Sequence, residues 1–197
     1  MYSFRNDYSE GAHPKVLQAL ADTNLRQTVG YGMDPCCQAA ADTIRRLCAA
    51  PDAAVHFLVG GTQVNLVTID AFLQSYEAVV AAQTGHVSTH ETGAIEATGH
   101  KVCTVESPDG KLTPALVESV LAGHNGTEHM VLPRLVYISD TTEIGTVYTR
   151  AELAALRQCC DVHGLFLYLD GARLGSALTS PDNDPVSYTH LRAHETG

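Results

Sequence analysis

The chain is predicted to be an α/β protein whose sheet is mostly parallel and flanked by helices. Short apolar runs suited to buried strands alternate with amphipathic stretches of helical spacing. Apolar residues make up 45% of the 197 residues, an ordinary share for a globular core. No internal repeat or low-complexity linker interrupts the alternation.

The elements follow in order. PKVLQALADT, from Pro14, opens on a proline suited to a first helical turn and sets Val16, Leu17 and Leu20 on one face. YGMDPCCQAAADTIRRLCAA is a loop that becomes a second helix after Pro35. VHFLVGG, from Val55, reads as a buried strand meeting a tight turn at two glycines. TQVNLVTIDAFLQS then has helical spacing through Leu66, Ile69 and Phe72. AVVAAQ (78–83) and KVCTVES (101–107) are strands, with TGAIEATG a short helix between them. LTPALVESVLAGH is a helix, LVYISD (135–140) a strand, and RAELAALRQCCDVHG a helix closed by Gly164. LFLYLDGAR gives a last strand ending at Asp170.

Charge and composition narrow the partners. Lys and Arg total 12 against 22 Asp and Glu, a formal net charge of −10, which disfavours nucleic acid and anionic membrane surfaces. No apolar run approaches the roughly 20 residues of a membrane helix. MYSFRNDYSEGAHP has no basic region followed by an apolar core, so no signal peptide is expected and the cytoplasm is the expected compartment. The six cysteines (Cys36, Cys37, Cys48, Cys103, Cys159, Cys160) include two adjacent pairs and no C-x-x-C spacing. Free thiols in a reducing compartment are the plain reading. The tail PVSYTHLRAHETG (185–197) has no apolar period, and from Val186 to Thr196 it resembles a translated sequencing-library adapter. Residues 185–197 are therefore expected to be artefactual, with 1–184 the genuine N-terminal part of a longer gene product.

Ligands of parallel sheets bind beyond the carboxyl ends of the strands. Three polar clusters fall there. GGTQVN (60–65) sits at a strand-to-helix turn, where backbone N–H groups and the helix dipole suit an anion, although a structural turn explains the glycines equally well. It carries neither a P-loop nor a G-x-G-x-x-G fingerprint. STHETGAIEATGH places His90 after a strand, either as a packing or helix-start residue or as a ligand group. YLDGAR ends the most apolar strand on Asp170, which either pairs internally with Arg173 or faces a ligand cation.

GGTQVN, STHETGA, SDTTEIGTVY and YLDGARLGSA occur in an order and spacing that resembles the threonine aldolase and β-eliminating lyase family, over residues 1–184. The resemblance implies the aminotransferase-like fold with pyridoxal 5'-phosphate as cofactor, the chain forming the N-terminal part of an incomplete large domain. It assigns the cofactor phosphate to Gly61, Thr62 and Gln63, and ring stacking with a possible base role to His90. Asp170 takes the pyridine nitrogen and Arg173 the substrate carboxylate. FRNDYSEGAHP resembles the family's substrate-carboxylate segment, which points to Ser9, and Tyr31 in GYGMDP lies in a stretch that reaches a neighbouring subunit's site. A small amino-acid substrate and a homodimer or homotetramer follow. Cleavage of a β-hydroxy-α-amino acid to glycine and an aldehyde is the preferred reaction, with β-elimination, racemisation or a non-catalytic binding or assembly domain as alternatives.

The resemblance also requires a Schiff-base lysine after the Asp-bearing strand. The chain's lysines are Lys15, Lys101 and Lys111, all upstream of Asp170. Truncation is the expected reason. In this architecture two later strands insert between the Asp-bearing strand and the one ending at Gly60, so a chain without them is expected to be poorly soluble and inactive.

Overall fold

In the computed structural model, a four-stranded sheet runs β2-β1-β3-β4 among the described residues, with β1 at Glu77–Ala82, β2 at Val102–Val105, β3 at Leu132–Ser139 and β4 at Phe166–Asp170. All three pairings are parallel. The structure describes residue 3 and residues 5–124, 126–181, 183 and 188. The chain forms two units, Met1–Ala40 and Ala41–Gly197. No helix among the described residues is long and apolar enough to cross a membrane.

The first unit contains α1 (Pro14–Thr23) and the start of α2 (Pro35–Leu47), each opening on the proline that the sequence marked. Val16, Leu17 and Leu20 lie exposed along α1. The Asp34 carboxylate accepts the N–H groups of Cys36 and Cys37 at 2.8 and 3.0 Å, capping α2.

The second unit is built on two central strands, β1 and β3, that are largely buried on both faces, which is why they read as continuous apolar runs. Alternate side chains point opposite ways. Val80, Ala82, Val136 and Ile138 pack with residues of α6 (Pro114–Ala122) and α7 (Arg150–His163). Val79, Ala81, Leu135 and Tyr137 pack with Ile69 and Leu73 of the α3 region, Val87 of α4 and Ile95 of α5. These helices span Gly61–Phe72, His86–Thr89 and Ala94–Ala97. A last short helix, α8, spans Leu174–Ala177.

Helix α7 shows the local logic most fully. Thr149 and Glu152 form a reciprocal capping box at its start. Leu153 and Leu156 are almost fully buried, each contributing about 1.5–3 kcal/mol. Gly164 ends it at φ 64, a left-handed conformation that costs a glycine little.

The structure corrects two expectations. Residues 55–60 form no strand, and Phe57, Leu58 and Val59 are 47%, 41% and 96% exposed, because no described neighbour offers them a ladder of hydrogen bonds. The outer edge of β4 has no strand partner among the described residues, and a cleft of about 880 Å³ lined by Phe72, Phe166, Tyr168 and Tyr188 runs beside it. The buried face of α3 is Asn65 and Ile69, one turn apart, and Phe72 is 53% exposed; the Leu66–Ile69–Phe72 stripe is rotated because Asn65 finds hydrogen-bond partners inside. The sequence reading also missed the short helices α4 and α8. Residues 185–197 lie outside the described residues apart from Tyr188, whose hydroxyl donates to Asp140 Oδ2 at 2.9 Å.

Gly164 offers a direct check on this packing, since an added Cβ would meet Arg134 Nη1 at 3.1 Å as well as the left-handed backbone. Gly164→Ala is expected to lower unfolding stability by about 1 kcal/mol, read as a lower urea midpoint at unchanged slope.

Candidate functional site

Period-2 alternation places Tyr137 of β3 and Tyr168 and Asp170 of β4 on the sheet face covered by α3. Asn65 comes down from α3 to meet them. Its Nδ2 donates to Asp170 Oδ2 at 3.1 Å and to Glu91 Oε1 at 2.6 Å. Its Oδ1 accepts the Tyr168 hydroxyl at 2.6 Å. The Tyr137 hydroxyl donates to Asp170 Oδ2 at 2.6 Å, and the Ala172 N–H donates to Oδ1 at 3.0 Å. Asp170 thus sits at the carboxyl end of its strand, partly open and held by three neutral donors.

The electrostatics keep the two tyrosine hydroxyls of the network protonated. Burial, and then the negative charge of Asp170, push the Tyr137 hydroxyl well above the usual phenol range. Tyr168 is pushed up to about 12, again mainly by burial and then by Asp170. Both phenols therefore donate at neutral pH.

The network continues away from Asp170. Glu91 is 2% exposed, and its Oε1 meets His86 Nδ1 at 2.8 Å. With a carboxylate accepting there, Nδ1 carries the hydrogen and Nε2 is the nitrogen left for other work. Glu91 Oε2 is buried without a hydrogen-bond partner among the described residues.

At the N-terminus of α3, Gly60 is the cap residue with φ −172, and Gly61, Thr62 and Gln63 form the first turn. The N–H groups of a first turn have no acceptor within their own helix. A Cβ at Gly60 or Gly61 would meet nothing within 4 Å, so the approach to this turn is open. Neither glycine has positive φ, so their value here is space, and the backbone does not demand them. Gln63 Oε1 accepts the Val59 N–H at 3.1 Å, fastening the preceding segment to the turn. Gly61 and Asn65 are one helical turn apart on one face of α3, so the open first turn directly precedes the residue that bonds Asp170.

The other sequence-predicted residues distribute as follows. His90 closes α4 by donating its N–H to His86 O at 2.9 Å; it is exposed, with its ring 5.5 Å from that of His86. Arg173 is the half-buried cap residue of α8, three positions beyond Asp170. Ser9 and Tyr31 belong to the first unit. There the Ser9 hydroxyl donates to Asn6 Oδ1 at 2.5 Å, and Tyr31 is fully exposed at φ 63. Of the lysines, Lys15 lies in α1, Lys101 is exposed before β2, and Lys111 holds Glu152 Oε1 at 2.5 Å.

Asn65, His86, Glu91, Tyr137 and Tyr168 were not singled out from sequence. Tyr168 and Tyr137 had a readable signal, since Tyr168 lies two residues before Asp170 and Tyr137 two before Ser139 on the neighbouring strand end. Asn65 is a polar residue on the buried side of an apolar helix, and only tertiary contact reveals its partners.

Asn65→Ala leaves Glu91, Tyr168 and one Asp170 bond without their shared amide. The expected loss is about 2 kcal/mol of unfolding stability in urea, well beyond an exposed polar-to-Ala change.

A family model described as β-eliminating lyase matches residues 4–192, running past residue 184. A low specificity L-threonine aldolase from Pseudomonas sp. (strain NCIMB 10558) is 37% identical over 188 residues, 94% of this chain and 54% of the relative. One of the same name from Pseudomonas aeruginosa is 36% identical over 176 residues, covering 88% of this chain and 50% of the relative. A solved Leishmania major threonine aldolase superposes with a TM-score of 0.94 at 55% identity, over 97% of this chain and 56% of that one. An aspartate aminotransferase from Rhizobium meliloti, at 16% identity and a TM-score of 0.62 over 82% of this chain and 41% of its own, shares the fold. The chain spans about half the length of these relatives.

Proposed function

The chain belongs to the β-eliminating lyase family, and on that footing we propose that it forms the cofactor-holding part of a pyridoxal-phosphate-dependent threonine aldolase. The substrate is a small β-hydroxy-α-amino acid and the products are glycine and an aldehyde. The observation that carries this reading is the Asp170 carboxylate, held at the end of its strand by neutral donors, one of them Asn65, a helical turn after the open start of α3.

The residues present fit the cofactor. The first turn of α3, open beside Gly60 and Gly61, suits a phosphate bound by the N–H groups of Gly61, Thr62 and Gln63. When bound, pyridoxal phosphate supplies a ring that accepts the electron pair released as a bond to Cα breaks. Asp170 holds a proton on the ring nitrogen, because Asn65, Tyr137 and the Ala172 N–H fix its carboxylate without adding positive charge. Arg173 binds the substrate carboxylate through its planar fork.

For the histidine that stacks on the ring and takes the substrate hydroxyl proton, the geometry favours His86 alongside the expected His90. Its Nδ1 is tied through Glu91 and Asn65 to Asp170, which orients the ring and leaves Nε2 to handle a proton. Ser9 and Tyr31 are assigned to the substrate side, Tyr31 toward a neighbouring subunit's site. The covalent lysine is assigned to the part of the relatives' length that this chain does not span, and Lys111 is already committed to Glu152. Two further strands of the parent are assigned to the open edge of β4. The parent is a homodimer or homotetramer acting in the cytoplasm, where free thiols such as Cys103 and Cys160 stay reduced.

Elimination and racemisation use the same electron sink, so product analysis of the full-length parent separates them from aldol cleavage. The parent is expected to release glycine and acetaldehyde from threonine. Asp170→Asn is expected to lower that rate on the order of 10²-fold or more while the phosphate turn still retains cofactor. A parent that binds no cofactor, or an Asp170→Asn variant within a few-fold of the unchanged enzyme, contradicts the proposal.

A further inference from the structure

On the opposite face of the sheet, α6 and α7 bring together a second set of chemistry-bearing side chains. Cys159 and His163 are four residues apart on α7 and so share one helix face. Glu118 reaches them from α6. One ligand atom from each of the three lies within 4.8 Å of the others, and Glu118 Oε1 stands 3.8 Å from His163 Nε2. The thiol forms the floor, since Cys159 is 6% exposed, while the Glu118 and His163 side chains, 58% and 37% exposed, form the mouth.

We propose that Glu118, Cys159 and His163 form a binding site for a zinc-class divalent cation that clips α6 to α7. Thiolate and imidazole are the ligands that select such cations over magnesium or calcium, which take oxygen. Zinc bonds of about 2.0–2.3 Å place tetrahedral ligand atoms roughly 3.3–3.7 Å apart. The observed spacing closes to that by small rotations of Glu118 and His163, both of which face solvent. Cys159 stays where packing fixes it. The fourth position is open to water. His163 lies in the last turn of α7, where the carbonyl end of the helix favours positive charge. Binding converts the Cys159 thiol to thiolate and releases its proton to solvent; the carboxylate and neutral imidazole enter unchanged, and no electrons are transferred. The site stands apart from the Asp170 network, which occupies the α3 face.

The plain alternative is a surface Glu118–His163 contact above an inert packed thiol. Cobalt(II) separates the two. The full-length protein, carrying Cys36→Ser, Cys37→Ser and Cys48→Ser to remove the more accessible thiols of this chain, is titrated with Co²⁺ under reducing conditions free of chelating thiols. The expected result is intense visible absorption of four-coordinate cobalt with a thiolate charge-transfer band, saturating at one ion per chain and displaced by Zn²⁺. Cys159→Ser removes the charge-transfer band, and Glu118→Gln weakens affinity by about tenfold or more, both with unchanged far-ultraviolet circular dichroism. Absence of the visible bands, or a charge-transfer band that survives Cys159→Ser, overturns the proposal.

Discussion

The structure turns on a buried polar knot held between a helix and a parallel sheet. Asn65 satisfies Tyr168, Glu91 and Asp170 with one amide, and Tyr137 closes the set from the neighbouring strand. Each group would be costly to bury alone. Together they hold α3 to the ends of β3 and β4 and leave Asp170 as a carboxylate in a fixed pose. Because the donors around it are neutral, its charge is not cancelled and can act on whatever lies beyond the strand end.

Strand parity makes the knot possible. One residue of slip in β4 would turn Tyr168 and Asp170 to the α6–α7 face and bring Leu167 and Leu169 to α3. The pairing Tyr137↔Tyr168 and Ser139↔Asp170 therefore carries both the packing and the chemistry. The two faces divide the labour: α3, α4 and α5 cover the side of the Asp170 network, and α6 and α7 build the larger apolar core with its own proposed cation site.

Much of this was legible in the residues. Pro14 and Pro35 mark helix starts, Gly164 marks a helix end, and the apolar runs at 78–83, 135–140 and 165–170 mark three strands of the sheet. Asp170 stands out as the one carboxylate ending the most apolar run. Two parts were not legible. Residues 55–60 have a strand's composition, yet a strand exists only through its neighbours, and the described chain gives them none. The polar knot depends on contacts between residues about a hundred positions apart, such as Asn65 with Tyr168, which local patterns do not encode. The partner of His86 shows the same limit. STHETGA drew attention to His90, whereas the hydrogen bond to buried Glu91 belongs to His86, one helical turn earlier.

The central claim is that Asp170 keeps a proton on the nitrogen of a bound pyridine ring. Nitrogen-15 resonance of isotopically labelled pyridoxal phosphate bound to the full-length parent reads that proton directly. The account predicts the upfield position of a protonated ring nitrogen near neutral pH, moving to the unprotonated position in Asp170→Ala. An unprotonated nitrogen in the unchanged protein would contradict it.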